Sequence, residues 1–297
     1  MTTLAADHRA NLTGGLFMVG AMAAFAVEDA ALKGAARSLP AGQILVLFGL
    51  GGAIIFALAA RIGGHGLCPP EVLSRPMRVR VLFEIAGRLF YTLALTLIPL
   101  STATVILQAT PLVVVAGAAL VFGERVGARR WVAIAIGLAG VVAIVRPGAE
   151  TFSWMSLLAV AGMAGFAGRD LASRAAPRAL STAILGLYGF LAVVAAGLSW
   201  SLWEGAPWVL PPAGAVLGLS LAVPVGAGAY ALLMRAMRTG DVSAVTPLRY
   251  TRLLFGIALG VLLFGETVDA VTLAGSVLVV VSGLVIVRRG RAAAPAR

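Results

Sequence analysis

Apolar runs about as long as a membrane is thick, separated by short polar connections, recur along the whole chain. A helix needs roughly 20 mostly apolar residues to cross a bilayer. Ten stretches approach that length: 12–32, 41–60, 81–98, 102–122, 131–146, 154–173, 182–203, 213–234, 243–264 and 268–287. The connections are short, Pro99 to Ser101 being one, and none has room for a separate soluble domain. The first stretch resembles a secretory leader in hydropathy. It carries Glu28 and Asp29 near its end and is followed by further spans, so it reads as a retained helix. The pattern predicts an all-α membrane protein with ten transmembrane helices.

Composition agrees. Hydrophobic residues make up 60% of the 297 residues and charged residues 12%, against about 25% charged in soluble domains. A soluble enzyme of this length would lack the polar side chains to cover its surface. The single cysteine, Cys68, excludes an intramolecular disulfide, a thiolate zinc site and an iron–sulfur cluster. The two histidines, His8 and His65, sit outside the spans. No cofactor or metal is expected.

The basic residues give the orientation, because Lys and Arg concentrate on the cytoplasmic side. With the N-terminus in the cytoplasm, the cytoplasmic segments hold Arg9, Arg61, Arg75, Arg78, Arg80, Arg125, Arg129, Arg130, Arg169, Arg174, Arg178, Arg235, Arg238, Arg288, Arg289, Arg291 and Arg297, which is 17 of 23 Lys and Arg. The other side holds Lys33, Arg37 and Arg146, and the spans hold Arg88, Arg249 and Arg252. Both termini, the short tails 1–11 and 288–297, are therefore expected in the cytoplasm of a bacterial-type inner membrane. The same scatter explains the net charge of +11 without a nucleic-acid partner. The basic tail reads as an anchor to anionic lipid. The expected partners are a small-molecule substrate and the lipid bilayer, with a homodimer as an open option.

A repeat is more informative. Residues 22–39, MAAFAVEDAALKGAARSL, match residues 163–180, MAGFAGRDLASRAAPRAL, at nine of 18 positions. Phe122-Gly123-Glu124 recurs 142 residues later as Phe264-Gly265-Glu266, and Ser101 matches Ser243. Such self-similarity marks a duplicated unit, here 12–146 and 154–287. Each unit holds five spans, an odd number, so the second copy enters from the opposite side. Two inverted five-helix repeats offer two mirror-related arrangements, the physical basis of alternating access.

The two Gly-Glu turns, Gln108-Ala-Thr-Pro111-Leu, the stretch Gly240-Asp-Val-Ser-Ala-Val-Thr-Pro247-Leu-Arg-Tyr250 and the Val145-Arg-Pro-Gly148 ending, set in this repeat, resemble the drug/metabolite transporter superfamily and within it the EamA family. The resemblance covers about 12–290. It implies a secondary transporter or exchanger, not an enzyme, with a central cavity lined by helices one, three, four, six, eight and nine.

Charge inside a span is costly, which makes each such residue a functional candidate. Arg88 lies mid-span, with Glu84 one turn earlier and expected to pair with it; Arg249 and Arg252 lie in the ninth span. Glu28 aligns with Arg169, and Asp29 with Asp170. Arg88, Tyr91, Gln108, Tyr230, Arg249, Tyr250 and Arg252 are candidate substrate ligands. Glu28, Asp29, Glu84, Arg169 and Asp170 are candidates for proton coupling or ion pairing. Structural network and substrate site both stand for the latter group, while for Arg88 and Arg252 the site reading leads. Taken singly, each tyrosine reads as helix packing. Pro111, Pro224 and Pro247 are expected to interrupt spans, and Gly137-x-x-Gly140 to permit close packing. Glu124 and Glu266 read as caps of the helices that follow them.

The leading functional expectation is a carrier of a small polar metabolite, as exporter, importer or exchanger. The alternatives are import of a cofactor-like molecule such as S-adenosylmethionine or riboflavin, and an intramembrane enzyme acting on lipid-linked substrates. No nucleotide-binding P-loop and no HExxH motif are present.

Overall fold

The structure, a computed structural model, describes residues 2–123, 127–146, 153–175, 177, 179–239 and 245–292. Glu124, Arg125, Gly148, Arg178, the 240–244 stretch with Ser243, and Arg297 lie outside them. The described residues form helices and no strand. In chain order these are α1 (Thr2–Ala35), α2 (Ala41–Ile62), α3 (Arg75–Leu97), α4 (Leu100–Leu107), α5 (Thr110–Phe122), α6 (Ala128–Val145), α7 (Ser156–Arg174), α8 (Thr182–Glu204), α9 (Ala213–Thr239), α10 (Thr251–Phe264) and α11 (Ala270–Ala292). Short 3₁₀ turns occupy Pro70–Leu73 and Thr246–Tyr250.

Among the described residues six segments are long and apolar enough to cross a membrane: Arg9–Ala35, Ala41–Ile62, Leu100–Val121, Thr182–Glu204, Ala213–Met237 and Pro247–Phe264. Trp131–Val145 and Ala270–Val285 are shorter apolar helices. The chain is thus a multi-pass membrane protein. Helices α3 and α7 fall in neither group, because they carry Arg80, Glu84, Arg88, Arg169 and Asp170.

Two of the expected spans are discontinuous. The stretch expected over 102–122 is α4 and α5, separated by Gln108-Ala109, and Pro111 sits in the first turn of α5, where its missing N–H removes no helix bond. Within the stretch expected over 243–264, the 3₁₀ turn Thr246–Tyr250 with Pro247 precedes α10, which starts at Thr251. Pro224, by contrast, does not interrupt its span: α9 runs through it from Ala213 to Thr239.

The main pairings are α1 with α9, α3 with α7, α2 with α8, and α6 with α11 (Ala270–Ala292). One apolar core gathers Tyr91, Leu95, Ile106, Leu112, Ile134 and Leu253; another gathers Leu32, Ile44, Phe48, Phe56 and Phe190. Gly140 of α6 faces Gly275 of α11, as the small-residue pattern suggested. The α3–α7 crossing is the tightest contact that bears on function. A Cβ on Gly165 would lie 2.5 Å from the Gly87 backbone nitrogen, and one on Gly87 would lie 2.9 Å from the Phe166 nitrogen. Backbone faces backbone there, so no side chain can yield, and this approach is what lets charges on α3 and α7 meet.

Gly165→Val therefore forces the two helices apart, at a cost of about 1–3 kcal/mol for overpacking. The expected result is a lower melting temperature in detergent. Gly228→Ala, which enters open space, leaves it unchanged or slightly raised.

Candidate functional site

The sequence-selected charges meet in the interior. Adjacent residues on a helix point about 100° apart, so the neighbouring acids of α1 serve different partners. Glu28 accepts a hydrogen bond from Arg88 Nη1 of α3 at 2.8 Å. Asp29 Oδ2 accepts from Tyr91 OH of α3 at 3.0 Å and from Arg252 Nη2 of α10 at 2.6 Å. Both carboxylates are sealed, Glu28 at 1% exposure and Asp29 at 0%.

A second group forms where α7 crosses α3. Arg169 donates to Asp170 Oδ1 from Nε at 3.0 Å and Nη2 at 2.9 Å, and to Glu84 Oε1 from Nη1 at 3.2 Å. Arg80 Nη2 lies 3.6 Å from Glu84 Oε2, while its Nε donates to Ser173 Oγ at 3.0 Å. Arg249 Nη2 lies 3.9 Å from Asp170 Oδ2.

Aromatic faces cover the guanidinium groups. Arg88 lies 5.3 Å from the Phe48 ring centroid and 5.9 Å from that of Phe166. Arg252 lies 5.0 Å from Phe25 and 6.0 Å from Tyr91, and Arg169 lies 4.8 Å from Phe166. A ring face attracts a cation and excludes water, which strengthens the ion pairs beneath it.

The other candidates occupy the edges of this network. Gln108, in the break between α4 and α5, donates from Nε2 to the Arg249 carbonyl at 2.9 Å, joining the two discontinuities. Tyr250 is buried, with its hydroxyl unpartnered among the described residues. Tyr230 packs its ring edge-on against Phe56 at 5.5 Å and lies within electrostatic reach of Arg80, Glu84, Arg169 and Asp170. Among the described residues no group of three or more His, Cys, Asp or Glu is placed to hold a metal.

Two expectations are corrected and one is extended. Glu84 does not pair with Arg88, although they are one turn apart on α3. Arg88 reaches across to Glu28, and Glu84 serves Arg80 and Arg169. Arg80, counted in the sequence only as a topological charge, is also a member of the network, at 3% exposure; its one-turn spacing from Glu84 was the available signal. Glu266 caps α4, not the helix that follows it. Its carboxylate accepts from Leu100 N at 2.6 Å, Ser101 N at 2.9 Å and Ser101 Oγ at 2.8 Å. Asp269 instead caps α11, accepting from Thr272 N at 2.7 Å and pairing with Arg146. The Thr272 backbone N–H, and after it Arg146, hold the Asp269 carboxyl below the usual carboxylate range.

Lys33, which sequence reasoning left as a topological charge, completes the knot around Glu266. Its ammonium donates to the carbonyls of Leu95 at 3.0 Å and Ile98 at 2.6 Å and lies 3.8 Å from Glu266. Lys33 and Arg37 both face the Phe264 ring. Helix α1, the α3–α4 corner and the α10–α11 turn are thereby fastened at one end of the molecule.

Removing one member of a buried ion pair leaves the other charge stranded, at a cost of about 3–5 kcal/mol. Arg252→Ala and Asp29→Ala are each expected to lower the melting temperature in detergent strongly. The double variant is expected to lose much less than the sum of the two, because neither charge is then unpaired.

The model of the EamA-like transporter family matches the chain twice, over residues 12–146 and 153–288. The pseudopaline exporter of Pseudomonas aeruginosa (strain UCBPP-PA14) is 31% identical over 286 residues, 93% of this chain and 96% of that protein. The S-adenosylmethionine uptake transporter of Rickettsia felis is 29% identical over 218 residues, 72% of each chain. The riboflavin transporter of Rhizobium johnstonii is 27% identical over 296 residues, 97% of this chain and 95% of that one. A solved crystal structure matches with a TM-score of 0.62 at 23% identity, covering 92% of this chain and 97% of its own, a likeness of fold alone. These relatives are carriers rather than enzymes, and this chain belongs to the EamA-like transporter family.

Proposed function

We propose that the protein is a secondary transporter of a small polar metabolite across a bacterial-type inner membrane. It works by alternating access between two inverted five-span repeats, residues 12–146 and 154–287, with both termini in the cytoplasm. The ten spans are α1, α2, α3, α4 with α5, α6, α7, α8, α9, the 3₁₀ turn with α10, and α11.

The observation that carries this reading is the buried ion network drawn from α1, α3, α7 and α10. Charges in a bilayer interior mark substrate or ion pathways, and closed ion pairs open by exchanging partners. The helix pairings support the two-fold relation. Exchanging the repeats turns the α1–α9 pair into the α7–α3 pair and returns α2–α8 and α6–α11 to themselves. The discontinuities at Gln108-Ala109 and Tyr250-Thr251 stand 142 residues apart, the spacing of the two Gly-Glu turns. Substrate ligands are then Arg88, Tyr91, Gln108, Tyr230, Arg249, Tyr250 and Arg252. Glu28, Asp29, Glu84, Arg169 and Asp170 hold them in place or carry the coupling proton.

The relatives include an exporter and uptake carriers, so the test should read either direction. Proteoliposomes loaded with a bacterial metabolite extract are expected to take up label from a labelled extract by counterflow. Arg88→Ala and Arg252→Ala, selected as monodisperse and folded, should lose at least tenfold. Full exchange by both variants overturns the site assignment. Reporter fusions that put the two termini on opposite sides overturn the inverted repeats.

A further inference from the structure

Among the described residues the network contains one more cation than carboxylates, and the cation most open to a newcomer is a single residue. Among the described residues its members are five arginines (Arg80, Arg88, Arg169, Arg249 and Arg252) and four carboxylates (Glu28, Asp29, Glu84 and Asp170). Each carboxylate already accepts a hydrogen bond from an arginine other than Arg249. Glu28 is held by Arg88, Asp29 by Arg252, and both Asp170 and Glu84 by Arg169. Arg80 donates to Ser173 and lies 3.6 Å from Glu84 without a hydrogen bond to it, but its side chain is sealed at 4% exposure.

Arg249 differs. Its one carboxylate neighbour among the described residues is Asp170, at 3.9 Å and beyond hydrogen-bond reach, and its side chain is the most exposed of the five at 28%. Its backbone, in contrast, is fixed. Arg249 lies in the 3₁₀ turn, and its carbonyl accepts Gln108 Nε2 from the other discontinuous span. A guanidinium on a pinned backbone, beside an acid already committed elsewhere, is a receptor for an oxyanion. Arginine's planar fork matches carboxylate or phosphate with two parallel hydrogen bonds.

Resting on the carrier reading above, we propose that the transported substrate is a net anion bearing a carboxylate or phosphate, and that Arg249 is the residue that receives this group. The bound anion supplies the missing negative charge, and a singly charged group leaves the loaded network neutral. The empty carrier keeps one cation unmatched in the membrane, and substrate binding removes that penalty. Arg88 and Arg252, already matched by Glu28 and Asp29, shape the cavity instead of supplying the surplus charge.

The test divides a labelled metabolite extract on ion-exchange columns at neutral pH into anionic, cationic and unretained fractions, and offers each to proteoliposomes in counterflow. The anionic fraction is expected to exchange with wild type. Arg249→Gln should lower that exchange at least tenfold while its folding, read by melting temperature, is kept, and Arg249→Lys should recover part of it. Treating the anionic fraction with phosphatase abolishes exchange if the group is phosphate and spares it if it is carboxylate. Exchange confined to the cationic or unretained fraction overturns the anionic class while leaving the carrier intact. Wild-type exchange by Arg249→Gln overturns the role of Arg249. Exchange with no fraction overturns the carrier reading, and this inference with it.

Discussion

A carboxylate or guanidinium in hydrocarbon is tolerated only opposite a partner, and that demand organises this molecule. Water does not reach the bilayer interior to solvate a charge, so helices that carry charges must be brought to one another. Helices α3 and α7 are the least apolar of the long helices, and they cross at the Gly87–Gly165 contact, where the chains approach most closely. Helix α1 carries two adjacent acids and is met by an arginine from α3 and another from α10. The apolar cores on either side are ordinary helix packing. The ion pairs decide which helices stand inside.

The pairing also divides labour along the network. Around Glu28 and Asp29 the charges are matched one to one and sealed under aromatic rings. Around Asp170 the acid is shared between Arg169 and the more distant Arg249, and the side chains there are partly exposed. A tightly matched group resists opening and a loosely matched one accepts a newcomer, so the two groups suit different tasks.

Much of this was legible in the residues. Span positions followed from apolar run length, and the helices begin and end within a few residues of the expected bounds for α2, α7 and α8. The candidate charges were recognisable because a charge inside an apolar run is conspicuous, and the structure gathers the candidates in or beside one network. Partner choice was not legible. Glu84 and Arg88 satisfy the one-turn spacing of a helical pair, yet each bonds across to another helix, because inter-helix geometry is set by packing that no local pattern encodes. Arg80 was hidden by its place near a basic loop. The break at Gln108-Ala109 was marked only indirectly, by Pro111 just downstream, while Pro224 sits inside an unbroken helix. A proline alone does not say whether neighbours will satisfy the backbone it frees.

The cap on α4 has a consequence for how the chain is made. The backbone N–H groups of Leu100 and Ser101 are satisfied by Glu266, which lies 166 and 165 residues downstream. At a synthesis rate of about 5–20 residues per second, that carboxylate emerges on the order of ten to thirty seconds after the helix start it serves. Lys33 waits for the same residue. The first repeat therefore enters the membrane with an unfinished corner, and the α10–α11 turn is the piece that completes it. Biogenesis of this carrier is a closing operation, in which the second repeat fastens the first.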